Sequence, residues 1–172
     1  ISFATGDRSL NEDIEHAIKL RDTLSVYIDK GRLASKLQKR FAVDTIVQAR
    51  GGAAVCIEEK IVRWKGRSYD AFALETHSCT IPGHETDGWM KYGEADYLLY
   101  CFQPEQKNGL NCYLIKFPEL KAWFWPLERR LPTFGPLDTP NRTKGRLAPI
   151  AGVQASVPTW RFMVPDKRDV MK

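Results

Sequence analysis

Residues 42–62, AVDTIVQARGGAAVCIEEKIV, hold two apolar runs separated by Gly51-Gly52, with Asp44 near the start of the first and Glu58-Glu59-Lys60 inside the second. Apolar and β-branched runs around a glycine pair predict a β-hairpin. Side chains alternate along a strand, so Glu58 and Lys60 share a face with Cys56 and Val62, while Val55, Ile57 and Ile61 point the other way. One face is therefore expected to be core and the other to carry the charges. Asp44 in the preceding run can sit beside Glu58, giving two neighbouring carboxylates with an ammonium next to them. Two such acids repel unless a cation bridges them, and carboxylate oxygens suit Mg²⁺ or Mn²⁺. The plain alternative is that Asp44 caps a turn and Lys60 pairs with Glu58 or Glu59 on a solvated sheet face.

Working outward, residues 9–28 place apolar side chains at Leu10, Ile14, Ala17, Ile18, Leu24 and Ile28 behind a capping Ser9, which predicts an amphipathic helix ending near Gly31. A second short helix is expected over 32–41. Beyond the hairpin, residues 69–77 (YDAFALETH) read as a third strand and 80–88 as a loop. Residues 89–97 read as a short helix, and 97–102 and 111–117 as strands around the turn PEQKNG. Pro118 opens a further helix, interrupted near Pro126. From Leu131 the chain holds six prolines and is expected to be mostly loop, with one late strand at 159–164. The order of elements predicts a single mixed α/β domain over 1–172, with a core of about 10–130 and a Pro-rich tail over 131–172.

With 172 residues, 43% of them hydrophobic, the chain is large enough for a real core and too apolar for disorder. A net charge of +5 permits contact with nucleic acid without requiring it. Cys56, Cys79, Cys101 and Cys112 show no CxxC spacing, and three of them lie in apolar segments, which points to a reducing cytosol and away from a zinc ribbon. No run is long and apolar enough to span a membrane. The chain starts at Ile1 rather than at a methionine, so a targeting signal ahead of it would not be visible here.

Glu-x-Lys occurs three times, at 58–60, 105–107 and 119–121. Glu105 and Lys107 fall in a polar turn, and Glu119 and Lys121 open a helix, so both pairs are expected to lie outside any site. Only Glu58-x-Lys60 is strand-borne and preceded by a strand acid. A hairpin with Asp44, then Glu58-x-Lys60, behind a helix holding a Glu resembles the PD-(D/E)xK nuclease superfamily. The segments FAVDTIV, AAVCIEEKIVR, YDAFALETHS, GWMKYGEADYLLYCF and CYLIKFPELKAW are similar, in that order, to uncharacterised and largely phage-associated members. Val43 stands where the family name has Pro, which removes no chemistry.

The resemblance implies a restriction-endonuclease-like mixed β-sheet flanked by helices, and a metal-dependent DNA endonuclease in a bacterial or phage-infected cytoplasm. It implies that Asp44 and Glu58 bind Mg²⁺ or Mn²⁺ and that Lys60 assists the attacking water or the scissile phosphate. It also implies a helix Glu, Glu15 or Glu12, of which Glu15 flanks the apolar stripe and is preferred. Glu75 shares a strand face with His77, so the two are candidates for an outer metal ligand and a phosphate contact, against a surface role for His77. Arg63, Lys65 and Arg67, with Arg142, Lys144 and Arg146 in the tail, are candidates for DNA phosphates. Trp64 is expected to pack rather than stack on a base. DNA is the expected partner, a membrane is not, and a homodimer stays open. The competing reading is a nuclease-fold module that binds nucleic acid or protein without turnover.

Overall fold

A computed structural model describes residues 5–20, 40–63, 70–105, 109–138 and 140–165. The chain is mixed α/β, with two sheets where one was expected. In chain order the described elements are α1 (Thr5–Leu20), β1 (Thr45–Gln48), β2 (Ala54–Val62), β3 (Ala71–Cys79), β4 (Thr86–Asp87), α2 (Trp89–Tyr92), β5 (Tyr97–Phe102), β6 (Leu110–Lys116), α3 (Phe117–Leu127), β7 (Thr133–Phe134), β8 (Lys144–Pro149), α4 (Ile150–Ser156) and β9 (Thr159–Val164). The expected helix end near Gly31 and nearly all of the second helix lie outside the described residues.

The hairpin forms as the sequence predicts. β1 and β2 pair antiparallel, with Gly52 at φ 86° in the turn, a backbone conformation that glycine adopts without a steric penalty. β2 then lies parallel to β5, and β6 and β9 follow antiparallel, so the first sheet runs β1-β2-β5-β6-β9. β5 owes its central place to composition: all six residues of YLLYCF are buried, and a continuous apolar run suits a strand covered on both faces.

β3 does not extend the hairpin. Phe72, Leu74 and Thr76 are buried and alternate with less buried neighbours, a pattern that packs one face only, and the strand joins a second sheet ordered β4-β3-β8-β7. The sheets are fastened by Phe72, whose ring centroid lies 5.0 Å from that of Tyr100 and 5.3 Å from that of Tyr113, and by the Ala73 N–H, which donates to the Tyr100 hydroxyl at 3.1 Å. The segment expected to be a loose tail contributes to both sheets: β8 pairs with β3, β9 completes the edge beside β6, and α4 packs Val153 into the core. Pro149 and Pro158 flank α4 rather than disorganise it.

Two apolar layers result. One lies between the sheets and takes in Trp89 and Met90 of α2 and Phe117, Leu120 and Phe124 of α3; the other lies under α1, where Ile14 and Ile18 meet Val55 and Ile57. β2 is therefore covered on both sides, and Glu58 and Lys60 point into the layer between the sheets and not onto the solvated sheet face of the plain alternative. Among the described residues no helix is long and apolar enough to cross a membrane.

Candidate functional site

Asp44 sits just ahead of β1. Its N–H donates to the Ile57 carbonyl at 2.8 Å, and its Oδ2 accepts the Glu59 N–H at 2.8 Å, which fixes the carboxyl against the start of the Glu-x-Lys run. Two residues earlier, buried Ala42 holds φ 49°, a left-handed conformation that costs a non-glycine residue about 1 kcal/mol.

Glu58 is 3% exposed. Its Oε1 takes the Lys60 ammonium at 2.5 Å, as alternation along β2 requires, while Oε2 is buried without a hydrogen-bond partner among the described residues. The Asp44 carboxyl lies beside it, close enough for the pair to share a proton. When both are ionised they are acceptors only, and neither satisfies the other. Burial raises the Glu58 carboxyl, Lys60 pulls it back, and Asp44 pushes it up again, to about 7. Burial works against the Lys60 ammonium, but Glu58, then Asp44 and Glu75, outweigh it and hold Lys60 above the usual lysine value. The Lys60 Nζ also lies 5.2 Å from the centroid of the Trp89 ring.

Glu75 reaches the same group from the second sheet. Burial raises its carboxyl, offset in part by the Lys60 charge and by a hydrogen bond from the Trp89 N–H. β3 is brought close by α2, whose two flanks are glycines because nothing larger fits. A Cβ on Gly88 would stand 2.5 Å from the Glu75 carbonyl oxygen, and one on Gly93 would stand 2.6 Å from the Trp89 carbonyl oxygen and 2.7 Å from the Phe117 ring. Tyr92, the last residue of α2, feels the assembled charges: burial raises its phenol, Glu58 adds to this, Lys60 offsets it, and Glu75 and Asp44 contribute further. Lys121 holds the end of this turn, donating to the carbonyls of Gly93 at 2.9 Å and Lys91 at 3.2 Å. The third Glu-x-Lys is thus no bystander, since its lysine clamps an element of the site.

Other candidates lie elsewhere. Glu15 pairs with Lys19 and accepts the Trp160 indole N–H at 2.7 Å, on the α1 side of the first sheet, so the sheet itself separates it from Glu58. Glu12, the other helix acid, pairs with Arg8 at 3.0 Å in an exposed bridge. His77 follows a bulge in β3 and contacts Thr76 at 3.0 Å; burial, then Lys91 and Lys144, lower its imidazole. Arg146 is committed to Glu128 at 2.6 Å and to the Leu131 carbonyl and Thr133 hydroxyl, a structural set of partners where a phosphate contact was expected. Arg63 and Arg142 are exposed and Lys144 is half-buried. Lys65, Arg67 and Trp64 lie outside the described residues.

Known proteins offer no match. No family model matches the chain, and no curated protein or solved structure does. What the site can do must be judged from its own residues. Sequence reasoning missed Trp89, Tyr92 and Lys121; the one signal that could have drawn attention to the first two is the pair of glycines bracketing WMKY.

The described residues contain no cluster of three or more His, Cys, Asp or Glu side chains placed to hold a metal ion. Two carboxyls do converge, and an orphaned, buried Glu58 oxygen beside the Asp44 carboxyl is an oxygen-donor pair that a hard cation would satisfy. Mg²⁺ is commonly held by one or two carboxylates, with waters filling the remaining positions. The donor set fits such an ion.

Proposed function

We propose that this protein is a Mg²⁺- or Mn²⁺-dependent DNA endonuclease of the PD-(D/E)xK type, with a restriction-endonuclease-like core built on the first sheet. The observation that carries this reading is the buried Glu58 carboxyl, with one oxygen on Lys60, the other without a partner, and Asp44 alongside. With both acids ionised, the second Glu58 oxygen has only acceptor oxygens of Asp44 beside it, a costly arrangement that a bound cation would relieve. The arrangement of β2 between antiparallel β1 and parallel β5 supports the fold part of the reading.

In this account Asp44 and Glu58 hold the cation, which supplies positive charge at the scissile phosphate and an activated water. Lys60, with about a third of its side chain exposed, lies between the buried carboxylates and the surface and neutralises charge that develops on the phosphate. The Glu75 charge on the second sheet adds to the stabilisation of the Lys60 ammonium, and Glu75 would orient water in an outer position. DNA is the substrate class because the chain is basic overall and a phosphodiester is the anion such a site would act on.

The test is cleavage of supercoiled plasmid and of labelled duplex, flap and four-way-junction DNA with Mg²⁺, with EDTA and a Glu58→Ala variant as controls. Cleavage that needs both the cation and Glu58 is expected. DNA binding without cleavage in either Mg²⁺ or Mn²⁺ would replace the enzyme with a binding module on the same fold.

A further inference from the structure

The α2 turn is built to a tighter tolerance than a connector between sheets needs. Gly88 donates its N–H to the Thr76 carbonyl at 2.9 Å and has no room for a Cβ against β3, and Gly93 has none against Phe117. Between them Trp89 and Met90 are buried, with the Trp89 ring 5.8 Å from Phe117 on one side and the Lys60 ammonium on the other. Lys121 ties down the carbonyls of Lys91 and Gly93 on either side of Tyr92. The residue held by this clamp is Tyr92, which follows Trp89 by one helical turn and precedes by two residues Glu94, whose N–H donates at 2.8 Å to the carbonyl of Phe41, three residues ahead of Asp44. Tyr92 is 36% exposed, its hydroxyl makes no hydrogen bond among the described residues, and its phenol feels the charges of Glu58, Lys60, Glu75 and Asp44. A phenol left half in water beside four ionisable groups is an unused donor at the rim of a site.

We propose that the Tyr92 hydroxyl donates a hydrogen bond to a non-bridging oxygen of the phosphodiester seated at Asp44, Glu58 and Lys60, making it a substrate-contacting residue of that site. This deepens the nuclease reading and rests on it. A neutral donor suits such a position, since Lys60 and a cation held by Asp44 and Glu58 would already offset the carboxylates' repulsion of a phosphate, and a phenol adds a hydrogen bond without adding negative charge. A phenol is protonated at neutral pH, so it serves as a donor and not as a base.

The experiment compares wild type with Tyr92→Phe, which removes the hydroxyl and keeps the ring, in two assays on the same preparations. One is steady-state cleavage of a labelled duplex in Mg²⁺; the other is equilibrium binding of that duplex in Ca²⁺, read by fluorescence anisotropy. Thermal denaturation checks that the fold is unchanged. The expected result is a fall in kcat/KM of about 10-fold or more, the scale for losing one hydrogen bond to a charged group, with an unchanged melting temperature. If wild type cleaves and Tyr92→Phe cleaves as well, the contact does not exist while the nuclease reading stands. If wild type binds duplex but does not cleave it, the nuclease reading fails and the binding assay decides: weaker binding by the variant keeps the phosphate contact, and equal binding removes it. A wild-type protein that neither cleaves nor binds duplex overturns both.

Discussion

Replacing Glu58 by Gln in the metal-free protein tests whether the buried carboxyl is a cost that the fold carries for the site. Its pKa stands at about 7 against an ordinary 4.5, so the folded state holds its proton more tightly than the unfolded chain does. A raised carboxyl pKa destabilises the fold only when the group is ionised. The cost is absent below pH 4.5, grows from there to pH 7, and is constant above. At about 1.4 kcal/mol per pH unit, the full cost is on the order of 3 kcal/mol, and it applies because the side chain is almost fully buried. In the wild type Glu58, Asp44 and Glu75 hold Lys60 above the usual lysine value, so it adds no slope of its own to the wild-type profile in that range. Urea denaturation in EDTA at pH 5, 6, 7 and 8 should show wild-type stability falling with pH by about 2.5 kcal/mol relative to Glu58→Gln, since part of the cost is already present at pH 5. Parallel profiles would mean that Glu58 ionises normally and that the buried-carboxyl account is wrong.

Gly88→Ala would place a methyl group 2.5 Å from the Glu75 carbonyl oxygen, against backbone that cannot yield, so α2 must move away from β3. Plasmid nicking should fall at least 10-fold, given how steeply catalysis depends on placement, and wild-type activity would remove α2 from the site. Glu15→Ala should cost about 1 kcal/mol in denaturation through the lost Trp160 hydrogen bond and leave nicking within about 2-fold, since α1 covers the far side of the sheet. A large loss of nicking in that variant would contradict its placement.

The hairpin and the shared face of Glu58 and Lys60 were legible because both follow from local pattern: a glycine pair at a turn and side-chain alternation along a strand. What that face packs against was not, because its cover comes from β3 and α2, whose positions depend on pairings such as Leu74 with Arg146, 72 residues apart in the chain. For the same reason a third strand at 69–77 was legible but not its membership of a second sheet, which its alternating burial reveals only in the structure. Glu15 was misplaced because a helix shows which of its faces is apolar but not which side of a sheet that face will cover. Lys121 was dismissed on its spacing; its role comes from the carbonyls it reaches on another element. Six prolines after Leu131 read as loop, yet several of them lie at element borders, where a missing N–H costs nothing.

The central claim is that Asp44 and Glu58 form a metal site served by Lys60, and it is tested most directly by calorimetric Mn²⁺ titration and plasmid nicking on the same preparations of wild type, Glu58→Ala and Lys60→Ala. Lys60 supplies no ligand, and its charge opposes a nearby cation, so Lys60→Ala should bind Mn²⁺ at least as well as wild type while nicking falls about 10²-fold or more; Glu58→Ala should lose both. Unchanged nicking by Lys60→Ala, or Mn²⁺ binding that survives in Glu58→Ala, would mean that the charges on β2 form a structural ion pair and not a catalytic site.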